Sequence, residues 1–117
     1  ADGSLYAPFG VMGGFMQPQG HMQVVVGLID DGLDPQAALN RPRFCIDPAT
    51  AGGQLNLELG LSELIVTGLR EHGHVLRAEV SGYARSLFGR GQIIRREPEG
   101  VLWGGSDPRA DGCAIGF

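Results

Sequence analysis

Apolar residues follow two different rhythms along this chain. From Gln54 to Leu61 they alternate, with Leu55, Leu57, Leu59 and Leu61 set against Asn56 and Glu58. A period of two predicts a half-buried strand whose apolar face needs a cover. From His21 to Leu33 the spacing changes to three and four, through Met22, Val25, Val26, Ile29 and Leu33, with Val24 and Leu28 on the flanks. This predicts a core helix buried around most of its circumference. Gly32 is placed to stop it, and Asp34-Pro35 starts a second, short helix, because an Asp N-cap before a proline satisfies otherwise orphan amides. Arg41-Pro42 ends that helix. Ser62-Glu63 caps a third helix that carries Leu64, Ile65 and Leu69 and stops around His72-Gly73. It is the natural cover for the alternating strand.

Shorter strands are expected at Ser4-Leu5-Tyr6-Ala7, Phe44 to Ile46, Val75 to Val80, Gly91 to Arg95 and Val101 to Trp103. The last two join through Pro98-Glu99-Gly100 as a hairpin, and Asp47-Pro48 with Gly52-Gly53 marks a surface turn. Asp2-Gly3 is a hairpin signal, so a further strand should precede it and several strands should belong to a larger sheet. Between the first strand and the first helix lies the turn Gly10-Val11-Met12-Gly13-Gly14, and Ser106 to Gly112 forms a loop before an apolar tail. The fold class is α+β, with residues 1–117 as a single domain.

Composition narrows the function classes. The chain has 117 residues, 43% of them apolar, and a net charge of −4. There is no broad cationic surface for a phosphate backbone or anionic lipid, so neither nucleic acid nor membrane is an expected partner. All nine basic residues are arginine, which excludes a lysine Schiff base or a P-loop lysine. Cys45 and Cys113 lack the spacing of a zinc site and are expected as two reduced, partly buried thiols, which leans slightly toward a cytoplasmic location and leaves a periplasmic or secreted one open. No metal and no cofactor is expected.

Few residues offer chemistry. Gly10, Gly13 and Gly14 let backbone amides approach a substrate and donate to an anionic oxygen, although such a turn can equally be only a tight turn. His72-Gly73-His74 reads as solvated histidines at a helix end. His21, beside the glycine turn, is either a base or a structural residue. Asp107, Arg109 and Asp111 alternate so that one guanidinium can be clamped by carboxylates and loop carbonyls. Thr50 and Thr67 have no base beside them in sequence, and Ala1 has no nucleophilic side chain. The chain's own residues compose no complete catalytic centre.

Several stretches carry a resemblance. Gly10 to Gly14, Val25 to Ala38, Arg41-Pro42-Arg43-Phe44, Leu69 to His74, Phe88-Gly89-Arg90-Gly91-Gln92 and Ser106 to Gly112 occur in the same order in the gamma-glutamyltranspeptidase family. The chain is similar there to the C-terminal part of the small subunit. The resemblance implies part of an N-terminal-nucleophile hydrolase, an αββα four-layer sandwich made as a self-cleaving proenzyme whose new N-terminal threonine attacks a gamma-glutamyl amide. It implies that Gly13 and Gly14 form the oxyanion hole through their N–H groups, and that the nucleophile and most glutamate-holding groups lie before residue 1. The implied partners are the large subunit, the rest of the small subunit and a gamma-glutamyl substrate of the glutathione type. Phe15 to His21 departs from the best-known members and looks like a less characterised branch that includes related amide acylases. The isolated chain is then expected to be inactive and to self-associate; the rival reading is a free-standing noncatalytic binding domain.

Overall fold

A computed structural model describes residues 3–116. The expected Asp2-Gly3 turn falls on Asp2, outside them. The element order is β1 (Phe9–Met12), α1 (Gln17–Ile29), α2 (Pro35–Asn40), β2 (Phe44–Asp47), β3 (Gln54–Glu58), α3 (Glu63–Glu71), β4 (Leu76–Val80), β5 (Arg90–Arg96) and β6 (Leu102–Ser106). Short 3-10 segments lie at Gly14–Met16 and Gly82–Phe88; the second has no counterpart in the sequence expectations. Two three-stranded sheets result, ordered β1-β5-β6 and β2-β3-β4. The first is antiparallel throughout, and in the second β4 runs parallel to β3. The fold class is α+β, as expected.

Each sheet has its own helical cover. Val24 and Leu28 of α1 and Ala38 and Leu39 of α2 pack with Val11 and Ile93 of the first sheet. Val66 of α3 packs on Leu55 and Leu57, with Leu69 at the margin, so α3 covers the alternating strand as anticipated. A third cluster, Met16, Cys45, Val80 and Phe88, joins the two halves. Capping follows the sequence: Asp34 Oδ1 accepts from Ala37 N–H at 2.8 Å, and Ser62 Oγ from Ile65 N–H at 3.4 Å. The β5–β6 hairpin closes where Gly100 N–H donates to Glu97 O at 2.9 Å.

Several expectations are corrected. Residues Ser4 to Ala7 are not a strand; β1 starts at Phe9, although Tyr6 O and Pro8 O still accept from Arg96 and Ile94 N–H. Helix α1 begins at Gln17, four residues early, because Pro18 suits a first helical turn. Its buried face is Gly20, Val24, Gly27 and Leu28, whereas Met22, Val25, Val26 and Ile29 are exposed. Only one stripe of the helix finds a sheet within this chain. In α3, Leu64 and Ile65 are likewise exposed. Strand β3 ends before Leu59, which is exposed, and its polar positions Asn56 and Glu58 are buried at 1% and 2% exposure. Both faces of this strand are therefore covered. Strand β6 starts one residue late but runs on to Ser106, and Cys113 is exposed while Cys45 is buried.

Candidate functional site

Strand β1 delivers the chain into the glycine turn. Gly13 has φ 149° and ψ 31°, and Gly14 has φ 57°. Both are conformations that side-chain-bearing residues rarely adopt. Met16 N–H donates to Gly13 O at 3.0 Å, and the wholly buried Met16 side chain plugs the turn into the third core cluster. A Cβ on Gly13 would lie 3.0 Å from Gly89 Cα, so β5 begins directly against the turn. No side chain caps the 3-10 segment that starts at Gly14. Two adjacent, geometrically fixed glycine peptides thus stand at the end of a strand.

His21 reaches back from α1 to β1. Its Nε2 accepts from Val11 N–H at 3.3 Å, and its Nδ1 lies 2.6 Å from Gln17 O. A carbonyl can only accept and an amide N–H can only donate, so the neutral Nδ1–H tautomer serves both. Phe9 lies against the ring, with centroids 5.6 Å apart at 56°. With both nitrogens engaged, His21 is placed as a structural group and not as a free base. An open cleft of about 870 Å³ beside it is lined by β1, Gln17, His21, Arg90, Gln92 and the Arg109–Asp111 loop.

The expected arginine clamp is present, with one carboxylate exchanged. Arg109 donates to Asp107 Oδ1 at 3.0 Å, to Leu39 O at 2.8 Å and to Arg41 O at 2.8 Å. Its second carboxylate is Glu58, not Asp111, bound from Nε at 2.9 Å and also from Nη2. Glu58 accepts further from Arg85 Nε at 2.6 Å and from Arg43 N–H at 2.9 Å. Burial pushes the Glu58 carboxyl up, but the hydrogen bonds from Arg109, Arg85 and the Arg43 amide outweigh it and hold the carboxyl below its ordinary value. Asp107 Oδ2 accepts from Gly91 N–H at 2.7 Å and pairs with Arg43 Nη2 at 2.8 Å, too bent for a hydrogen bond. Burial and the neighbouring Arg109 lower the Arg43 pKa. The cluster ties β3 of one sheet to β5 and the loop after β6 of the other. Glu58 and Arg43 escaped the sequence reading because alternation assigns Glu58 to a wet face.

The remaining candidates separate. His72 and His74 are exposed, as anticipated, and so are Thr50 and Thr67. Burial pushes the Cys45 thiol pKa up, a direction that suits an inert core cysteine. Among the described residues, no three His, Cys, Asp or Glu side chains gather as a metal site would require, and no helix is long and apolar enough to cross a membrane.

Comparison with known proteins places this geometry. The gamma-glutamyltranspeptidase family model matches residues 1–117. The chain is 34% identical over 112 residues to the glutathione hydrolase-like YwrD proenzyme of Bacillus subtilis (strain 168), a match covering 93% of this chain and 21% of that protein. It is 32% identical over 111 residues to the oxamate amidohydrolase proenzyme of Klebsiella pneumoniae, again 93% of this chain and 21% of that protein. The chain therefore spans about a fifth of the length of these curated relatives. The crystal structure of cephalosporin acylase from Bacillus halodurans superposes with a TM-score of 0.80 at 49% identity, over 91% of this chain and 19% of that one. The glycine turn, the arginine clamp and the two covered sheets are thus those of a chain that belongs to the gamma-glutamyltranspeptidase family.

Proposed function

We propose that the chain is part of an N-terminal-nucleophile enzyme that cleaves or transfers the acyl group of an amide, and that Gly13 and Gly14 donate their N–H groups to the tetrahedral oxyanion. The observation that carries this reading is the turn itself. Two successive positive-φ glycines follow a strand, the first is packed from behind by Met16 and Gly89 while the second faces open space, and no side chain caps the segment they start. Preorganised backbone donors of this kind act without reorganising as charge develops. The nucleophile, an N-terminal threonine released by self-cleavage of a proenzyme, and the groups that hold the acyl chain lie outside the chain. The substrate class is a gamma-glutamyl amide of the glutathione type, or the acyl amide of a related acylase. The names of the relatives, a glutathione hydrolase-like protein, an oxamate amidohydrolase and a cephalosporin acylase, support the amide class more strongly than any single acyl group.

The chain alone should release no aniline from a gamma-glutamyl anilide above buffer, while the longer protein carrying it turns over an amide. Saturable activity of the isolated chain would overturn the assignment. The rest of the protein is the proposed occupant of the exposed α1 face, where Met22 and Ile29 are 47% and 59% exposed. Deprived of it, the chain should self-associate at micromolar concentration in light scattering. A monomer with no dye-binding apolar surface would favour the noncatalytic binding domain instead.

A further inference from the structure

His21 is the one titratable side chain on β1 or α1 apart from the helix's C-terminal flank, and it holds a backbone group that leads straight into the glycine turn. The strand pairing of β1 with β5 leaves the Val11 N–H without a ladder partner, and His21 Nε2 takes it. The same ring is tied to the first turn of α1 through Gln17 O. Residues 12–16, which include both glycines, span the gap between these two anchors. The Val11 side chain is itself tightly packed: a Cβ on Gly20 would lie 2.7 Å from Val11 Cγ1, and one on Gly89 would lie 2.9 Å from the same atom.

Resting on the oxyanion reading above, we propose that His21 is a positioning residue for the Gly13–Gly14 turn and acts only as the neutral Nδ1–H tautomer. Protonation puts an N–H on Nε2, facing the Val11 N–H with no acceptor between them. The bond that fixes the end of β1 to α1 is then replaced by a donor–donor contact, and the turn loses the anchor on that side. The charged groups that share the cleft with His21 are Arg90 from β5 and Arg109 and Asp111 from the loop after β6. Arg109 is committed to Glu58 and Asp107, leaving Arg90 and Asp111 as opposite charges on the open side. The sign follows from the geometry: the neutral ring accepts from Val11 N–H and the protonated ring cannot, so acid weakens the anchor.

The test compares wild type, His21→Ala and His21→Gln in the longer protein, with rate and amide exchange measured across the imidazole range. A glutamine supplies one acceptor and one donor that do not titrate. His21→Ala should lower kcat by about tenfold, with KM little changed, the effect of one anchoring hydrogen bond behind a transition-state donor. His21→Gln should recover most of that loss and flatten the acid limb of the kcat profile. Exchange of the peptide spanning Phe9–Met16, corrected for intrinsic rate, should lose protection along the same acid limb in wild type but not in His21→Gln. Protection that ignores pH in wild type, or an acid limb that survives in His21→Gln, overturns the proposal. The exchange readout does not depend on catalysis. If glycine substitutions in the turn left the rate untouched while exchange still followed His21, the oxyanion reading would fall and the anchoring would stand.

Discussion

The outer strand edges of this chain are closed in two chemically different ways. On β2, the backbone groups left over by the ladder with β3 pair with two glutamines one turn apart on α1. Gln19 donates to Ile46 O at 3.1 Å and accepts from Ile46 N–H at 2.8 Å, while Gln23 does the same with Phe44 at 3.0 Å each way. Gln36 repeats the device on β6, with Ser106 O at 2.8 Å and Ser106 N–H at 3.0 Å. A carboxamide offers one donor and one acceptor at every pH, so it imitates a neighbouring strand. Such edges are sealed against wrong pairing and are insensitive to protons. The edge of β1 that runs into the glycine turn is closed by an imidazole, which supplies an acceptor only when neutral. The structural edges are permanent, and the edge beside the candidate chemistry is conditional.

The largest test of this division strikes the permanent side. Glu58 and Asp107 bind Arg109, whose side chain is wholly buried, and through it hold the two sheets together. Glu58→Ala should cost about 3–5 kcal/mol, the range for removing one partner of a buried ion pair, read from denaturant unfolding near neutral pH. Asp107→Ala and Arg109→Ala should fall in the same direction. Because the Glu58 carboxyl is held below its ordinary value, its contribution is complete above about pH 4.3 and disappears as pH falls through the lower folded value. The gap between wild type and Glu58→Ala should therefore close in acid. A change within about 0.5 kcal/mol at neutral pH would reduce the cluster to a surface feature.

On the conditional side, the glycine positions are not equivalent. Gly13→Ala meets both a disallowed φ and the backbone of Gly89, so the turn itself must move. In the longer protein it should lower the rate by about 10- to 1000-fold, the range for a displaced oxyanion donor. Gly14→Ala meets no atom within 4 Å and adds only left-handed strain of about 1–2 kcal/mol. Its rate effect should be the smaller, because its N–H can stay in place. Equal, wild-type-like rates for both variants would refute the oxyanion role, whatever the stability results show.

What the sequence disclosed follows the same line between local and nonlocal causes. The caps at Asp34 and Ser62, the β5–β6 hairpin and the inward Leu55 and Leu57 of β3 are read from neighbours a few positions away, and the structure keeps them. The buried stripe of α1 differs from the expected one because apolar spacing shows which positions want cover, not which of them this chain itself covers. Met22, Val25, Val26 and Ile29 satisfy the helical rhythm but face away from the sheet. Glu58 was invisible for a related reason: its partners Arg109 and Arg85 lie 51 and 27 residues away. The glycine turn was legible as a turn, but its candidate role came from the ordered family motifs and not from the glycines alone. The edge-closing glutamines left no sequence signal beyond their i, i+4 spacing on α1.

The smallest predicted effect converts a permanent edge into a conditional one. In Gln23→Glu, one carboxylate oxygen can still accept from Phe44 N–H, but the other stands where Nε2 donates to Phe44 O. At neutral pH the hydrogen bonds that Nε2 donates to Phe44 O and to Gln19 O are both lost and acceptors face each other, which should cost about 1–3 kcal/mol. Protonation returns a donor to that position, so the folded state raises the pKa of the introduced carboxyl. The penalty is then complete above the raised folded value and relieved as pH falls toward the unfolded value of about 4.3. Gln19→Glu should show the same pH trend with a smaller amplitude, since its bonds to Ile46 are exposed and water can replace them. Unfolding measured for both variants against wild type from neutral to acid pH decides the matter. A Gln23→Glu penalty that stayed constant with pH, or a larger one at Gln19, would show that these carboxamides are not acting as strand mimics.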